Sequence, residues 1–247
     1  MGTRVGSPGR ILAVDIGGSG LKAALVDRRG RMLTERVRVK TPHPSPPRVV
    51  VRALAQLVRP LGIDGSVRCV SVGFPGVVRG GVVFTAPNLG SEQWRGFDLA
   101  RALSVLWKRP VRVVNDADMQ GLGASRGKGV EVVITLGTGF GTAILADGRL
   151  APHLEISHIP FRKGETYEEQ LGQAARKKVG NKRWNRRVSR AIDALRILTN
   201  FDALYVGGGN ARHLDLDLPS DVRVIANEYG MRGGAKLWAD ELIAVGR

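Results

Sequence analysis

The strongest constraint on the fold is a pattern that occurs twice: an apolar strand, a glycine-rich turn and a second strand. In the first copy, Ile11-Leu12-Ala13-Val14-Asp15-Ile16 breaks at Gly17-Gly18-Ser19-Gly20 and resumes as Leu21 to Asp27. In the second, Val130 to Thr135 passes through Gly137-Thr138-Gly139-Phe140-Gly141 into Thr142 to Ala146. Two strands joined by a short glycine-rich link form a hairpin. No helix separates them, so neither copy is a dinucleotide-binding unit, whose glycine fingerprint opens a helix.

The remaining elements arrange themselves around these hairpins. Met32 to Val39 alternates as a third strand, and Thr41-Pro42-His43-Pro44-Ser45-Pro46-Pro47 is a stiff loop of polyproline character. Val50, Leu54, Leu57, Val58 and Leu61 have helical spacing within Arg48 to Leu61. A strand over Val67 to Phe74, a short hairpin through Val77 to Phe84, a helix over Leu99 to Trp107 and a strand over Val111 to Val114 complete the order β-β-β-α-β-α-β. Later come helices over Glu168 to Val179 and Trp184 to Thr199, strands over Leu204 to Val206 and Val222 to Ala226, and a closing helix over Gly233 to Val245. With 247 residues the chain can bury a sizeable core. The expectation is a duplicated α/β architecture of two lobes, residues 1–114 and 115–247, with a cleft between them.

Composition adds one unusual feature. Lys and Arg number 38 against 22 Asp and Glu, a formal charge of +16, and the pI is about 11.1. Such a charge attracts polyanions; nucleic acid, anionic lipid and inorganic polyphosphate all qualify, as does a solvated basic surface with no partner. The densest run is Arg176, Lys177, Lys178, Lys182, Arg183, Arg186, Arg187 and Arg190. On the second helix it lies opposite an apolar stripe of Trp184, Val188, Ala191, Ile192, Leu195 and Leu198. This run is either a solvated helix face or a track for a phosphate polymer. The lone cysteine, Cys69, rules out a disulfide framework and a cysteine-based zinc site, and fits a reducing cytoplasm. The apolar run near the N-terminus is too short for a signal peptide, and no later run would span a bilayer.

Three stretches carry chemistry. Val111-Arg112-Val113-Val114 ends at Asn115-Asp116-Ala117-Asp118, and a carboxylate at the carboxyl end of a strand is a rigid mount for an active-site acid. The plainer reading is that Asn115 and Asp116 cap the next helix. Within Asp15-Ile16-Gly17-Gly18-Ser19-Gly20-Leu21-Lys22, glycines let backbone N–H groups approach an anion. Asp15 could hold Mg²⁺ directly or through water, and Lys22 could reach a phosphate; a tight hairpin with incidental charges is the alternative. Leu136-Gly137-Thr138-Gly139-Phe140-Gly141-Thr142 repeats the logic with two threonine hydroxyls.

In combination the residues resemble a known family. Asp-x-Gly-Gly-Ser, then Asn-Asp-Ala-Asp, then Leu-Gly-Thr-Gly-x-Gly, then Glu-x-x-His, then Gly-Gly-Gly is similar to the ROK sugar kinases of the actin/hexokinase superfamily. The likeness runs from about Ile11 to Trp238. Thr41-Pro42-x-Pro44-Ser45-x-Pro47 and Phe74-Pro75-Gly76-Val77-Val78 resemble the branch that phosphorylates glucose from polyphosphate. The resemblance implies a two-lobed actin/hexokinase-like (ribonuclease H-like) α/β fold with a central interlobe cleft. It implies a first phosphate site at Asp15, Gly17, Gly18, Ser19 and Lys22, with Asp15 toward Mg²⁺. It implies a second at Gly137, Thr138, Gly139 and Gly141, and a supporting turn at Gly207 to Gly209 that includes Gly208. It implies a sugar-binding set of Asn88, Asn115, Asp116, Glu155 and His158, with Asp116 as catalytic base. Glu168 is taken as a further carboxylate on the sugar, with Glu169 close behind.

The implied activity is phosphoryl transfer from inorganic polyphosphate to the 6-hydroxyl of glucose, by a cytoplasmic homodimer with no membrane and no specific nucleic-acid partner. An ATP-dependent hexokinase for glucose or a related sugar is the first alternative. A non-catalytic sugar-binding regulator is the second, although only about ten residues precede the first strand, too few for a helix-turn-helix. Two departures stand out. The family's zinc-binding cysteine cluster is missing, so no zinc is expected. Ser157 stands where the family usually has glycine before the histidine.

Overall fold

The structure, a computed structural model, describes residues 9–90 and 92–239. Its contacts divide the chain into two compact units. One takes in the described residues up to Met119 together with those from Gly230, and the other is Gln120–Tyr229.

The first unit is built on a five-stranded sheet of β1 (Arg10–Ile16), β2 (Leu21–Val26), β3 (Val37–Val39), β4 (Val67–Phe74) and β7 (Val111–Asn115), in the order β3-β2-β1-β4-β7. The hairpin strands β1, β2 and β3 pair antiparallel, while β1–β4 and β4–β7 are parallel. Both faces are covered. Leu12, Val14, Ile16, Leu21 and Leu25 pack against Val50, Leu54 and Leu57 of α1 (Pro47–Val58), whose first position is a proline with φ preset for a helix. A short hairpin, β5 (Val78–Arg79) and β6 (Val82–Val83), leads to α2 (Leu99–Trp107), which Asp98 caps by accepting the Arg101 N–H. Strand β7 runs straight into α3 (Asp116–Ala124) with no intervening loop.

The second unit repeats the plan. Its sheet contains β8 (Val130–Leu136), β9 (Phe140–Ala146), β10 (Arg149–Leu150), β13 (Ala203–Gly207) and β14 (Val222–Val224), in the order β10-β9-β8-β13-β14. The hairpin pairs are again antiparallel and the outer two parallel. A small ribbon, β11 (Pro160–Arg162) and β12 (Glu165–Thr166), precedes α4 (Tyr167–Leu171) and α5 (Gln173–Thr199). Trp184, Val188, Ala191, Ile192 and Leu195 of α5 bury against Val132, Ile134, Leu204 and Val206.

The departures from the sequence reading have local causes. The third strand shrinks to Val37–Val39, because Thr34 Oγ1 takes the Leu25 N–H at 3.0 Å in place of a ladder carbonyl. The helix expected over Glu168 to Val179 breaks at Gly172, where ψ is 169°, and kinks again at Gly180, whose φ is 76°. Leu198, assigned to the buried stripe, is 62% exposed. The last strand stops at Val224.

The closing helix is α6 (Glu228–Lys236); the part of that expectation beyond residue 239 lies outside the described residues. Carried with the second lobe in the sequence reading, α6 belongs to the first unit. Met231, Ala235 and Trp238 bury on the face of Ile11, Ala13, Ala24, Val26 and Cys69. Ser71 Oγ donates to the Gly234 carbonyl at 2.6 Å and accepts the Trp238 indole N–H at 3.0 Å. Among the described residues no helix is long and apolar enough to cross a membrane.

Candidate active site

In the first unit, the register sets Asp15 directly opposite Lys22, and Lys22 Nζ lies 2.6 Å from Asp15 Oδ2. The turn between them has all four of its carbonyls tied back. Gly17 O accepts Thr41 Oγ1–H at 2.5 Å, and His43 Nε2 lies 3.2 Å from Gly18 O. Ser19 O receives the Thr41 N–H at 3.5 Å, and Gly20 O the Gly17 N–H at 3.0 Å. A turn whose carbonyls face protein donors turns few oxygens toward a ligand, which removes repulsion that an anion would otherwise meet. Asn88 packs directly on this turn: a Cβ on Gly18 would meet both the Asn88 Cβ and carbonyl oxygen at 3.0 Å.

Asn115 and Asp116 do cap α3. Asn115 Oδ1 and Asp116 Oδ1 each accept the Ala117 N–H at 2.8 Å. Asn115 is buried, and its Nδ2 donates to Gly76 O at 3.1 Å, which fixes it to the loop after β4. Gly73 connects this site to the first turn. It pairs with Asp15 in the β1–β4 ladder, and a Cβ there would lie 3.3 Å from the Asp116 Cα. The missing side chain lets the start of α3 settle beside the strand that carries Asp15.

The second unit treats its glycine turn in the same way. Gly139 O accepts the Gly137 N–H at 3.1 Å, and the Gln173 N–H reaches both Gly137 O and Thr138 O at 3.1 Å. Asn210 Nδ2 donates to Gly137 O at 2.8 Å, and the Asn210 N–H to Leu136 O at 2.8 Å. The third glycine run makes this possible. Gly208 has φ +87° and lies so close that a Cβ would sit 2.4 Å from Leu136 O. Gly141 pairs with Thr135 just beyond the turn.

Glu168 reaches the same turn: a Cβ on Gly139 would meet its Oε2 at 2.6 Å. Stacking sets the register, with Tyr167 against Phe140 and Phe161 at centroid distances of 5.5 and 4.4 Å. Glu169 is occupied elsewhere. It forms a capping box with Thr166 at the start of α4, so of the two neighbouring carboxylates Glu168 is the one brought to the glycine turn.

Glu155 is held by three side chains. Ser157 Oγ donates to Oε2 at 2.8 Å, His153 Nε2 is 3.3 Å from Oε1, and His158 Nε2 is 3.7 Å from Oε2. The His153 hydrogen bond, joined by Ser157 and by both imidazoles and opposed by desolvation, keeps the Glu155 carboxyl below its ordinary range. Ser157 therefore belongs to the Glu155 cluster, where it orients the carboxylate. Thr142 Oγ1 donates to Leu154 O at 3.0 Å and anchors this segment to β9.

The supporting groups Thr41, His43, His153, Gln173 and Asn210 are the ones that motif reading did not assign. Thr41 and His43 had a signal, the proline-rich loop, without a mechanism. The others had none. Among the described residues no group of three or more His, Cys, Asp and Glu side chains is arranged to hold a metal ion. Asp15 offers a single carboxylate beside the first turn, a donor set that suits Mg²⁺ held mainly by the phosphates of a substrate.

The ROK family model matches residues 11–163. Polyphosphate glucokinase of Mycobacterium tuberculosis is 33% identical over 216 residues, covering 83% of this chain and 80% of that protein. Polyphosphate glucokinase of Mycobacterium leprae is 32% identical over 220 residues, covering 85% and 66% respectively. Among solved structures, the inorganic polyphosphate/ATP-glucomannokinase of Arthrobacter sp. strain KM superposes with a TM-score of 0.84 at 32% identity, over 94% of this chain and 99% of that one. Two sheets of one topology, a tied-back glycine turn in each, and relatives aligned along most of the length place the chain in the ROK family, with the actin/hexokinase-like fold of its sugar kinases.

Proposed function

We propose that this ROK-family protein transfers the terminal phosphoryl group of inorganic polyphosphate to the 6-hydroxyl of glucose, giving glucose 6-phosphate and a polyphosphate one unit shorter. Its being a phosphotransferase of the sugar-kinase kind rests on the relatives. The observation that carries the reading is the tied-back state of both glycine turns, whose carbonyls are engaged by protein donors, so that few backbone oxygens are turned toward an incoming anion.

In this reading Asp116 accepts the proton of the 6-hydroxyl as that oxygen attacks the terminal phosphorus in line. The new P–O bond forms as the bond to the bridging oxygen breaks, and the negative charge leaves on the shortened chain. Asn88, Asn115, Glu155, His158 and Glu168 supply directional partners for sugar hydroxyls. Lys22 and the amides of both turns, with Gly208 supporting the second, hold phosphate oxygens. Mg²⁺ held by Asp15 would neutralise charge on the donor. Ser157 keeps Glu155 ionised and aimed. The working form is taken to be a cytoplasmic homodimer, which light scattering and cell fractionation check.

Two features favour a polymeric anion over a nucleotide. The net charge of +16 exceeds what a single triphosphate needs. Arg212 lies two residues beyond Asn210, which buttresses the second turn, and with Arg176 it brings two guanidinium groups to His213. Desolvation and the two guanidiniums hold the His213 imidazole below its usual range.

The test follows glucose 6-phosphate formation with Mg²⁺ and either polyphosphate or ATP, over a salt series, for the parent protein and Asp116→Asn. The expected result is salt-sensitive turnover with polyphosphate, reduced about 10²- to 10⁴-fold in the variant. Turnover with ATP alone would overturn the donor. An active Asp116→Asn would overturn the base. Folded protein that binds glucose and turns over neither donor would overturn the enzymatic reading in favour of a regulator.

A further inference from the structure

Resting on the polyphosphate reading, the first sheet allows its donor site to be extended. The face of this sheet that α6 covers is apolar at Ile11, Ala13, Ala24, Val26 and Cys69. One step further along the same face it becomes charged. The ladder registers align Gly73 with Asp15, Asp15 with Lys22, and Lys22 with Arg38, so these residues form one row across β4, β1, β2 and β3. Directly opposite residues in neighbouring antiparallel strands share a face, with Cβ atoms about 5 Å apart. Arg38 is thus the next charge outward from the Asp15–Lys22 pair, on the edge strand of the sheet.

Lys40 lies two residues beyond Arg38, just past the end of β3. The ladder partner of Leu21 is Val39, so the next step brings Lys40 alongside Gly20, the last residue of the glycine turn. The chain then gives Thr41 and His43 to the turn's carbonyls. The segment from Arg38 to His43 therefore flanks the whole first turn. Arg38 and Lys40 are exposed, and neither has an ion-pair partner among the described residues.

We infer that Arg38 and Lys40 form a second donor subsite, which binds the phosphates of a linear polyphosphate beyond those held by the glycine turns. A terminal phosphate seated at the turn leaves the rest of the polymer to be accommodated, and the Lys22–Arg38–Lys40 series leads from the turn to the open sheet edge. A short donor such as tripolyphosphate offers fewer phosphates to this series than a long chain does. The competing track is the basic run of α5, with exposed Lys177, Lys178, Lys182, Arg183, Arg186 and Arg190, on the helix whose Gln173 N–H reaches the second turn. The plain alternative is that basic side chains on β3 only blunt a sheet edge against pairing with other chains.

The test compares the parent with Arg38→Gln/Lys40→Gln and with Arg186→Gln/Arg190→Gln, using long-chain polyphosphate and tripolyphosphate as donors over a salt series. The β3 double variant is expected to raise KM for the long chain about 2- to 30-fold, with a smaller rise for tripolyphosphate and kcat unchanged. The slope of log KM against log salt should flatten by roughly 1 to 2. Arg38→Lys/Lys40→Arg, which keeps both charges, should restore parental values. An unchanged long-chain KM would overturn the subsite. So would an equal loss for both donors, or a loss confined to the α5 variant. If the unsubstituted protein uses ATP but no polyphosphate of any length, the donor assignment fails with it, and that failure is visible before any substitution is made.

Discussion

Thr41→Val tests whether the first glycine turn works by keeping its carbonyls occupied. Valine has nearly the shape of threonine, keeps the methyl group and removes only the hydroxyl. Thr41 is 5% exposed, its Oγ1–H reaches Gly17 O at 2.5 Å, and Gly17 is half-buried, so water can replace the bond only in part. Leaving a buried acceptor unpaired costs about 1–3 kcal/mol. That cost can appear in two places. If Gly17 O stays where it is, the folded state loses stability, by about 2–4 °C in Tm per kcal/mol for a chain of this size. If the carbonyl swings outward to find a partner, it meets the donor's phosphate oxygens, and the same 1–3 kcal/mol becomes a rise of about 5- to 150-fold in donor KM. The glucose KM should change less than the donor KM, because the two hydrogen bonds of Thr41 go to the turn's carbonyls and not to a proposed sugar ligand. The assay is initial-rate glucose 6-phosphate formation with each substrate varied in turn, beside a thermal melt. A melt lowered by several degrees with an unchanged donor KM would refute the reasoning, because the carbonyl would then be unpaired without harm to anion binding.

Gly208→Ala should lower Tm by several degrees and reduce activity, since a Cβ there would sit 2.4 Å from Leu136 O at a φ of +87°, a strain of at least ~1–2 kcal/mol before the clash is counted; a melt within 1 °C would show that Leu136 can yield. His153→Ala removes the leading contribution that holds the Glu155 carboxyl low, so Glu155 protonates at a higher pH and the acid limb of kcat/KM for glucose should move upward; an unmoved limb would separate Glu155 from sugar binding. Buried Glu131 accepts from Ser125, Arg126, Gly127 and Tyr205 and has a lowered pKa, so its stabilisation is complete above the unfolded value of about 4.3 and fades as pH falls through the folded one, an acid-side loss of Tm that Glu131→Gln should flatten. Its partner Tyr205 is pushed up to about 12, so the tyrosine's share is complete below its unfolded value of about 10 and is lost as pH rises to about 12; Tyr205→Phe should abolish that alkaline slope.

The parts of the fold visible in the sequence were those written locally. Each hairpin follows from an apolar run, a glycine turn and a second apolar run, and the two sheets repeat one strand order because the chain repeats that unit. Asn115-Asp116 at a strand end was legible as both cap and acid, and it serves as a cap here. What was not legible depends on distant packing. The break at Gly172 interrupts an unbroken helical pattern because a Cβ there would come within 2.9 Å of Thr138 O, a residue 34 positions earlier. Gln173 and Asn210 support the second turn with no motif of their own. The closing helix was expected from Gly233, and nothing local names its earlier start at Glu228 or the sheet that Met231 and Ala235 cover. Ser157 read as a departure from a pattern, and only its distance to Glu155 shows what the hydroxyl does.

The carbonyls that shape each glycine turn are held by groups far away in sequence. Thr41 is 24 residues from Gly17, and Asn210 is 73 residues from Gly137. Neither proposed anion site would therefore exist in a chain that has formed only its hairpins. Donor affinity becomes a reporter of complete folding: a ligand that binds only the finished turns shifts the folding equilibrium by RT ln(1 + [L]/Kd). Polyphosphate at a hundred times its Kd would add about 2.7 kcal/mol to stability. A cell rich in the polymer would then hold more of this protein folded, and would lose it to proteolysis as the polymer is consumed.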